Sequence, residues 1–223
     1  MSQKAKRPYD ARRRRERAEK ERLATRNRVV AAARDLFLER GYVATTMGDI
    51  AKTAGVALQS VYTAGRSKVD LLHLVVDLAV AGDSEDVMLL ERPEFKAIST
   101  ASTAERQVEV LATLIAATME RLAPIWIAYR EAAAVDPKAA TSLAAAHQRR
   151  HQTFEGMIRM LPEPRLRRSY DHSTTTAWAV GSIDVFLLFR TVLGWGSDQY
   201  LGWLRETLVD QLLVGQPLTR DVA

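Results

Sequence analysis

Apolar side chains recur every three to four residues along most of this chain, and no segment shows the strict alternation of a half-buried strand. The run "ATRNRVVAAARDLFLERG" places Val29, Ala32, Ala33, Leu36 and Phe37 on one helical face, with Gly41 as the expected left-handed stop. Thr46 and Asp49 form a T-x-x-D capping pattern that predicts a helix from Met47 to about Ala54. Ser67 and Asp70 repeat that signal ahead of "KVDLLHLVVDLAVAG". Residues 91–101 read as a loop, after which Ser102 and Glu105 are expected to cap "AERQVEVLATLIAATMERL". Pro124 is expected in the first turn of a new helix, "IWIAYREAAAV". Asp136 and Pro137 open a helix to about Leu161, which "PEPR" at 162–165 should break. Two last helices are predicted at about 172–193 and 198–214, separated by "GWGS". The fold class is therefore all-α, with about nine helices and no repeat of fixed period.

One stretch departs from this long-helix pattern. In "DIAKTAGVALQSVYTAGRSK", residues 49–68, a helical run stops at Gly55 and resumes within two residues. Helices of eight or nine residues cannot each bury enough surface alone, but a tight corner can pack two against each other. The corner needs a residue tolerant of positive φ, Gly55, and a small residue at the crossing, Ala51. Ile50, Val56 and Val61 are placed to close it. This spacing fits a helix-turn-helix whose second helix faces a DNA groove, and equally an ordinary αα-corner in a bundle.

Charge favours the first reading. Residues 1–40 carry fourteen Lys/Arg against six acids, a net +8, whereas the remaining eighteen Lys/Arg against twenty-one acids give −3. A basic end on a mildly acidic chain points to a polyanion partner, nucleic acid before an anionic membrane surface. The 47% apolar content supports a sizeable core, and no run of about 18 uncharged apolar residues suggests a membrane span. "MSQKAKRPYD" lacks the apolar segment of a signal peptide, and the absence of cysteine removes disulfides and thiol chemistry. A cytoplasmic protein is the expectation, with no membrane partner.

The segment "VVAAARDLFLERGYVATTMGDIAKTAGVALQSVY", followed by "SKVDLL", resembles the N-terminal domain of TetR-family transcriptional regulators over about residues 26–75. The resemblance implies a homodimeric regulator, most often a repressor. Its N-terminal three-helix domain would bind a palindromic operator, and its larger helical domain would bind a small molecule. Carried over by position, the recognition helix is about Ala57 to Thr63, with Leu58, Gln59, Ser60 and Thr63 toward DNA. Gln59 is the candidate base reader, because an amide can pair bidentately with adenine. Ser60, Tyr62 and Thr46 suit phosphate oxygens; Tyr62 would otherwise be core, and Thr46 can cap its helix as well. Lys68 matches the family's phosphate-contacting lysine.

The chain departs from the family pattern at "YTAGRSK", where Ala64 and Gly65 replace an aromatic and a polar residue. Ala57 stands where a capping serine is common, and Gly48 weakens the second helix by about 1 kcal/mol relative to alanine. A looser DNA-binding domain is expected, with Arg66 as a replacement phosphate contact. Upstream, "YDARRRRERAEKERLATR" suits a helix with Arg–Glu pairs at i,i+4, or a solvated extension. Arg12, Arg13, Arg14 and Arg15 are candidates for following the DNA backbone.

The rest reads as a bundle able to hold a hydrophobic effector. Candidate ligand residues are Trp126, Tyr129, Arg130, His151, Phe154, Trp178 and Asp184, with Met119, Met157 and Ile183 as neighbours. Phe186, Phe189, Trp203 and Leu212 offer apolar faces for a dimer surface in the last two helices. His147 and His151 share a face, but no third ligand is apparent, so no metal and no cofactor is expected. No nucleophile elbow, phosphate loop or dinucleotide fingerprint occurs, so no enzymatic activity is expected. The domain plan is a basic arm (1–24), a helix-turn-helix domain (25–70), a ligand-binding and dimerisation domain (71–215) and a tail (216–223). The functional expectation is a ligand-responsive regulator; the alternative is an architectural DNA-binding protein without an effector.

Overall fold

The computed structural model describes residues 11–83 and 87–215. The first ten residues of the expected arm and the tail from 216 lie outside them. The chain forms two compact units, Met1–Val75 and Val76–Ala223. Among the described residues there is no β-strand; a single antiparallel bridge joins Leu166 to Leu213.

The first unit begins with α1 (Ala11–Ala44), followed by α2 (Met47–Ala54) and α3 (Leu58–Ala64). The helix α4 (Lys68–Ala81) starts here and runs on into the second unit. Val29, Ala33, Leu36 and Phe37 of α1 are buried, as their spacing requires, with Ile50, Val61 and Leu71. Residues 12–24, by contrast, are all exposed. That part of α1 is held by its own backbone and by pairs such as Arg12–Glu16 and Arg17–Glu21, each at 2.9 Å. The described part of the arm is thus a solvated helical extension of α1.

Gly41 does not make the expected left-handed stop. Its φ is 79° but its ψ is 171°, so α1 kinks there and ends only at Ala44. Side chains then take up the orphan carbonyls. Thr45 Oγ1 donates to Gly41 O at 2.8 Å, and Lys68 Nζ donates to Tyr42 O at 2.7 Å and Thr45 O at 2.8 Å. They do the work a left-handed cap would otherwise do.

The second unit contains α5 (Pro93–Thr100), α6 (Ala104–Val135), α7 (Pro137–Ile158), α8 (Tyr170–Val180), α9 (Ile183–Leu187) and α10 (Ser197–Leu212). The central α6 packs against α5, α7, α9 and α10. Where a loop was expected, α5 forms because Pro93 opens it and Phe95 and Ile98, three apart, are buried. The cap of α6 is Thr103, one residue later than expected, its hydroxyl accepting from Arg106 N. Pro124 lies inside α6 rather than starting a helix. An internal proline costs about 3 kcal/mol, which burial of Leu122, Ala123, Ile125 and Trp126 around it offsets.

The penultimate helix is divided. Ser182 caps α9 by accepting from Val185 N, and Gly181 sits so close to α6 that a Cβ there would meet Ile115 Cγ2 at 3.0 Å. A π-helical turn, Leu188–Val192, continues α9. By length and composition, α6 and the Tyr170–Val192 stretch are apolar enough to cross a membrane, which the sequence reading did not anticipate. Half of the apolar window of α6 is buried inside the second unit.

Candidate nucleic-acid interface and effector cavity

The corner between α2 and α3 is built by local chemistry. Thr46 Oγ1 accepts from Asp49 N at 3.1 Å, and Asp49 Oδ2 accepts from Thr46 N at 3.0 Å. This reciprocal box fixes the start of α2. The Thr46 hydroxyl also donates to Asp49 Oδ2 at 2.6 Å. Hydrogen bonding from Thr46 holds the Asp49 carboxyl below its ordinary pKa. At the other end Gly55 is left-handed, φ 63° and ψ 42°, while Val56 N reaches back to Ala51 O at 3.1 Å. The chain turns, and Ala57 starts α3 without a side-chain cap.

On α3, Val61 faces inward and is fully buried. Leu58, Gln59, Tyr62 and Thr63 are exposed, and Ser60 is half-buried. Tyr62, at 43% exposure, is therefore a surface residue, not core. Thr63 Oγ1 donates to Gln59 O at 2.9 Å, leaving the Gln59 amide at the surface. Arg66 is also exposed.

Two placements differ from expectation. The Lys68 ammonium is spent on Tyr42 O, Val43 O and Thr45 O, and lies 4.2 Å from the Tyr42 ring centroid. It ties α4 to the end of α1, so a phosphate would have to compete with three carbonyls. Second, Arg22 and Arg26 of α1 border a surface hollow shared with Ser60, Thr63 and Ala64 of α3. Arg12 to Arg15, the candidates from sequence, lie about two to four helical turns further out along α1. The signal was available: residues 22 and 26 are one helical turn apart on a single face.

In the second unit a cavity of about 270 Å3 lies among α4, α5, α6 and α7. Trp126 and Phe154, expected as ligand contacts, line it, with Met119, Leu122 and Met157. Tyr129, Arg130, His151, Trp178 and Asp184 do not. Tyr129 is fully buried and stacks edge-on with Trp126, while Arg130 pairs with Asp184 at 3.0 Å on the surface. His151 and Trp178 pack edge-on against one another. The sequence reading missed the polar wall: Asp77, Arg92, Arg149 and Arg150.

The expected dimer residues divide as well. Phe186 and Leu212 are buried inside the subunit, facing its own core rather than a partner. Phe189 and Trp203 are half-buried and stack 4.3 Å apart between centroids. Large apolar exposure lies instead on Leu188, Val192 and Leu193, in and just after the π-helical turn that follows α9, at 57%, 70% and 58%.

Two short helices joined by a left-handed glycine, with a polar face turned outward beside basic side chains, define a helix-turn-helix DNA-binding domain. Residues 29–75 match the family profile "Bacterial regulatory proteins, tetR family". The N-terminal domain of this chain belongs to the TetR family. Among curated relatives, the transcriptional regulator TtgR of Pseudomonas putida is 35% identical over 78 residues, 31% of this chain. The match spans 37% of that relative's length, and ArpR of Pseudomonas putida matches equally. Solved structures share the fold over most of the chain. The SmeT–triclosan complex superposes with a TM-score of 0.64 at 17% identity, covering 88% of this chain and 96% of that one. A transcriptional regulator from Saccharomonospora viridis in complex with choline gives 0.63 at 18% identity, covering 85% and 98%. NalD of Pseudomonas aeruginosa, described as a secondary repressor of the MexAB-OprM efflux pump, gives 0.59 at 17% identity, covering 86% and 98%.

Proposed function

We propose that this chain is a ligand-responsive transcriptional repressor that binds a palindromic operator as a homodimer in the cytoplasm. The observation that carries the reading is the outward face of α3. Leu58, Gln59, Tyr62 and Thr63 are exposed on a helix whose position the Thr46 box and Gly55 fix. An exposed amide at the front of a recognition helix suits bidentate pairing with adenine, a contact worth about 1–3 kcal/mol of discrimination. Ser60, Tyr62 and Arg66, and Arg22 and Arg26 beside Ser60, supply phosphate contacts, and Thr46 adds its hydroxyl at the head of α2.

The exposed apolar turn that follows α9, with the Phe189–Trp203 stack, supports pairing of two copies through this turn and α10. Such a pair would set two recognition helices about one DNA turn apart, ~34–36 Å. The cavity supports an effector, as do the triclosan and choline complexes of the two structural neighbours. An effector need alter operator affinity by only about 1–3 kcal/mol to regulate.

Selection of bound DNA from a random pool by the purified protein at moderate salt tests the reading. The expected outcome is an inverted repeat with half-sites one turn apart, whose most constrained bases relax in Gln59→Ala. Absence of any sequence preference would refute it. A retained preference that no small molecule alters would leave an architectural DNA-binding protein.

A further inference from the structure

The cavity wall carries two arginines in different electrostatic states. Arg92 is 3% exposed and meets Asp83 through both terminal nitrogens, at 2.7 and 2.9 Å. Its charge is matched by a carboxylate. Arg150 has no such match among the described residues. Its terminal nitrogens donate only to backbone carbonyls, Trp178 O at 3.2 Å and Gly181 O at 2.5 Å, and its Nε is buried without a partner. Its guanidinium carbon lies 4.6 Å from the centroid of Phe154, another wall residue. Asp184 is engaged by Arg130 on the surface.

Carbonyls satisfy donors but bring no counter-charge, and a buried cation without one is costly. Burial accordingly depresses Arg150 from its ordinary value to about 10, against the opposing effects of Tyr200 and Asp184. The remaining charged wall groups are Arg149 and Asp77, both exposed, beside a lining dominated by Val76, Val80, Leu114, Ile115 and Met119. The wall is therefore apolar with one excess positive charge, and Arg150, half-buried as a residue but with its Nε fully buried, is the arginine there without a carboxylate.

We propose that the cavity takes a compact amphipathic anion, an apolar body bearing one carboxylate, with Arg150 as its counter-ion. The proposal deepens the effector reading above and rests on it. Size follows from volume: an apolar cavity of 150 Å3 holds benzene, so one of about 270 Å3 holds roughly ten to eleven non-hydrogen atoms. Octanoate has the right size and charge, and octanamide is its neutral isostere.

Calorimetric titration of the full chain with octanoate, octanamide and octylamine tests the assignment at neutral pH. Octanoate is expected to bind at least tenfold more tightly than octanamide, with octylamine weakest. Arg150→Met should erase that preference. Because Arg150 also holds the α8–α9 joint, the ligand series on the unaltered protein is the primary readout, and it does not depend on a variant folding. Equal or tighter binding of octanamide or octylamine, a preference retained in folded Arg150→Met, or no binding of any of the three overturns the proposal. Operator affinity is measured separately. Octanoate binding that leaves operator affinity unchanged sinks the effector reading and keeps the anion site; an operator response to octanamide at concentrations where octanoate gives none does the reverse.

Discussion

Gly55 and Gly65 bracket α3, and alanine at each should destabilise the DNA-binding domain for opposite reasons. At Gly55 the backbone is left-handed, φ +63°, and a Cβ would meet nothing within 4 Å. Gly55→Ala therefore costs only the left-handed strain of an L-residue, about 1–2 kcal/mol. At Gly65 the backbone is extended, φ −150° and ψ 123°, so any residue could adopt it. There a Cβ would stand 2.6 Å from Leu71 Cδ2, 2.8 Å from its Cγ and 3.2 Å from its backbone N. Leu71 is fully buried and cannot swing away, so Gly65→Ala overpacks the site by about 1–3 kcal/mol. Leu71→Ala alone should cost about 2–5 kcal/mol by leaving a cavity. Combined with Gly65→Ala it should cost less than the sum, because the atoms that clash are those removed. Combined with Gly55→Ala it should be additive within about 0.5 kcal/mol. Hydrogen exchange of α3 amides, including the Gly65 N–H bonded to Val61 O at 3.0 Å, reads this unit specifically. An additive Gly65–Leu71 pair would show that the close approach is relieved by backbone movement and that the steric argument is wrong.

Three further outcomes are expected. Thr46→Ala should loosen α2 by about 1 kcal/mol by removing its cap. Because Asp49 titrates lower when folded than unfolded, its contribution is present above the unfolded value near pH 4 and is lost as pH falls through the lowered one; Thr46→Ala should flatten that acid limb of stability. Lys68→Met should speed exchange of the amides around the end of α1 yet leave the salt slope of operator binding unchanged; a slope reduced by about one would return the lysine to the phosphates. Replacing Arg22 and Arg26 by alanine should lower that slope by about two, and replacing Arg12 to Arg15 should lower it further if the extension follows the duplex. Gel-shift titrations between 50 and 200 mM salt check both, and slopes equal to that of the unaltered protein would remove α1 from the interface.

The helix-turn-helix was legible in sequence because local rules govern it. A threonine–aspartate box, a glycine at positive φ and apolar spacing at Ile50 and Val61 fixed α2, the corner and the outward side of α3 with no knowledge of the rest. Pattern alone also marked the all-α class and the opening of α7 at Asp136–Pro137. What local rules could not reach was decided by neighbours distant in sequence. Lys68 looks like a surface cation until Tyr42 O and Thr45 O are seen beside it, 26 and 23 residues back. Pro124 reads as a helix start until the burial of its neighbours holds α6 continuous. Gly181 and Ser182 fall inside one expected helix, 172–193, and become a break because Ile115 leaves no room and Ser182 caps afresh. The same holds for the cavity: periodicity counts apolar positions, but whether an arginine on an apolar face finds a carboxylate, as Arg92 does, or only carbonyls, as Arg150 does, is fixed by which helices pack together. Capping and φ preferences act over a single turn and are written in adjacent residues. Charge compensation and steric room depend on side chains brought together from across the chain, so only the folded structure could decide them.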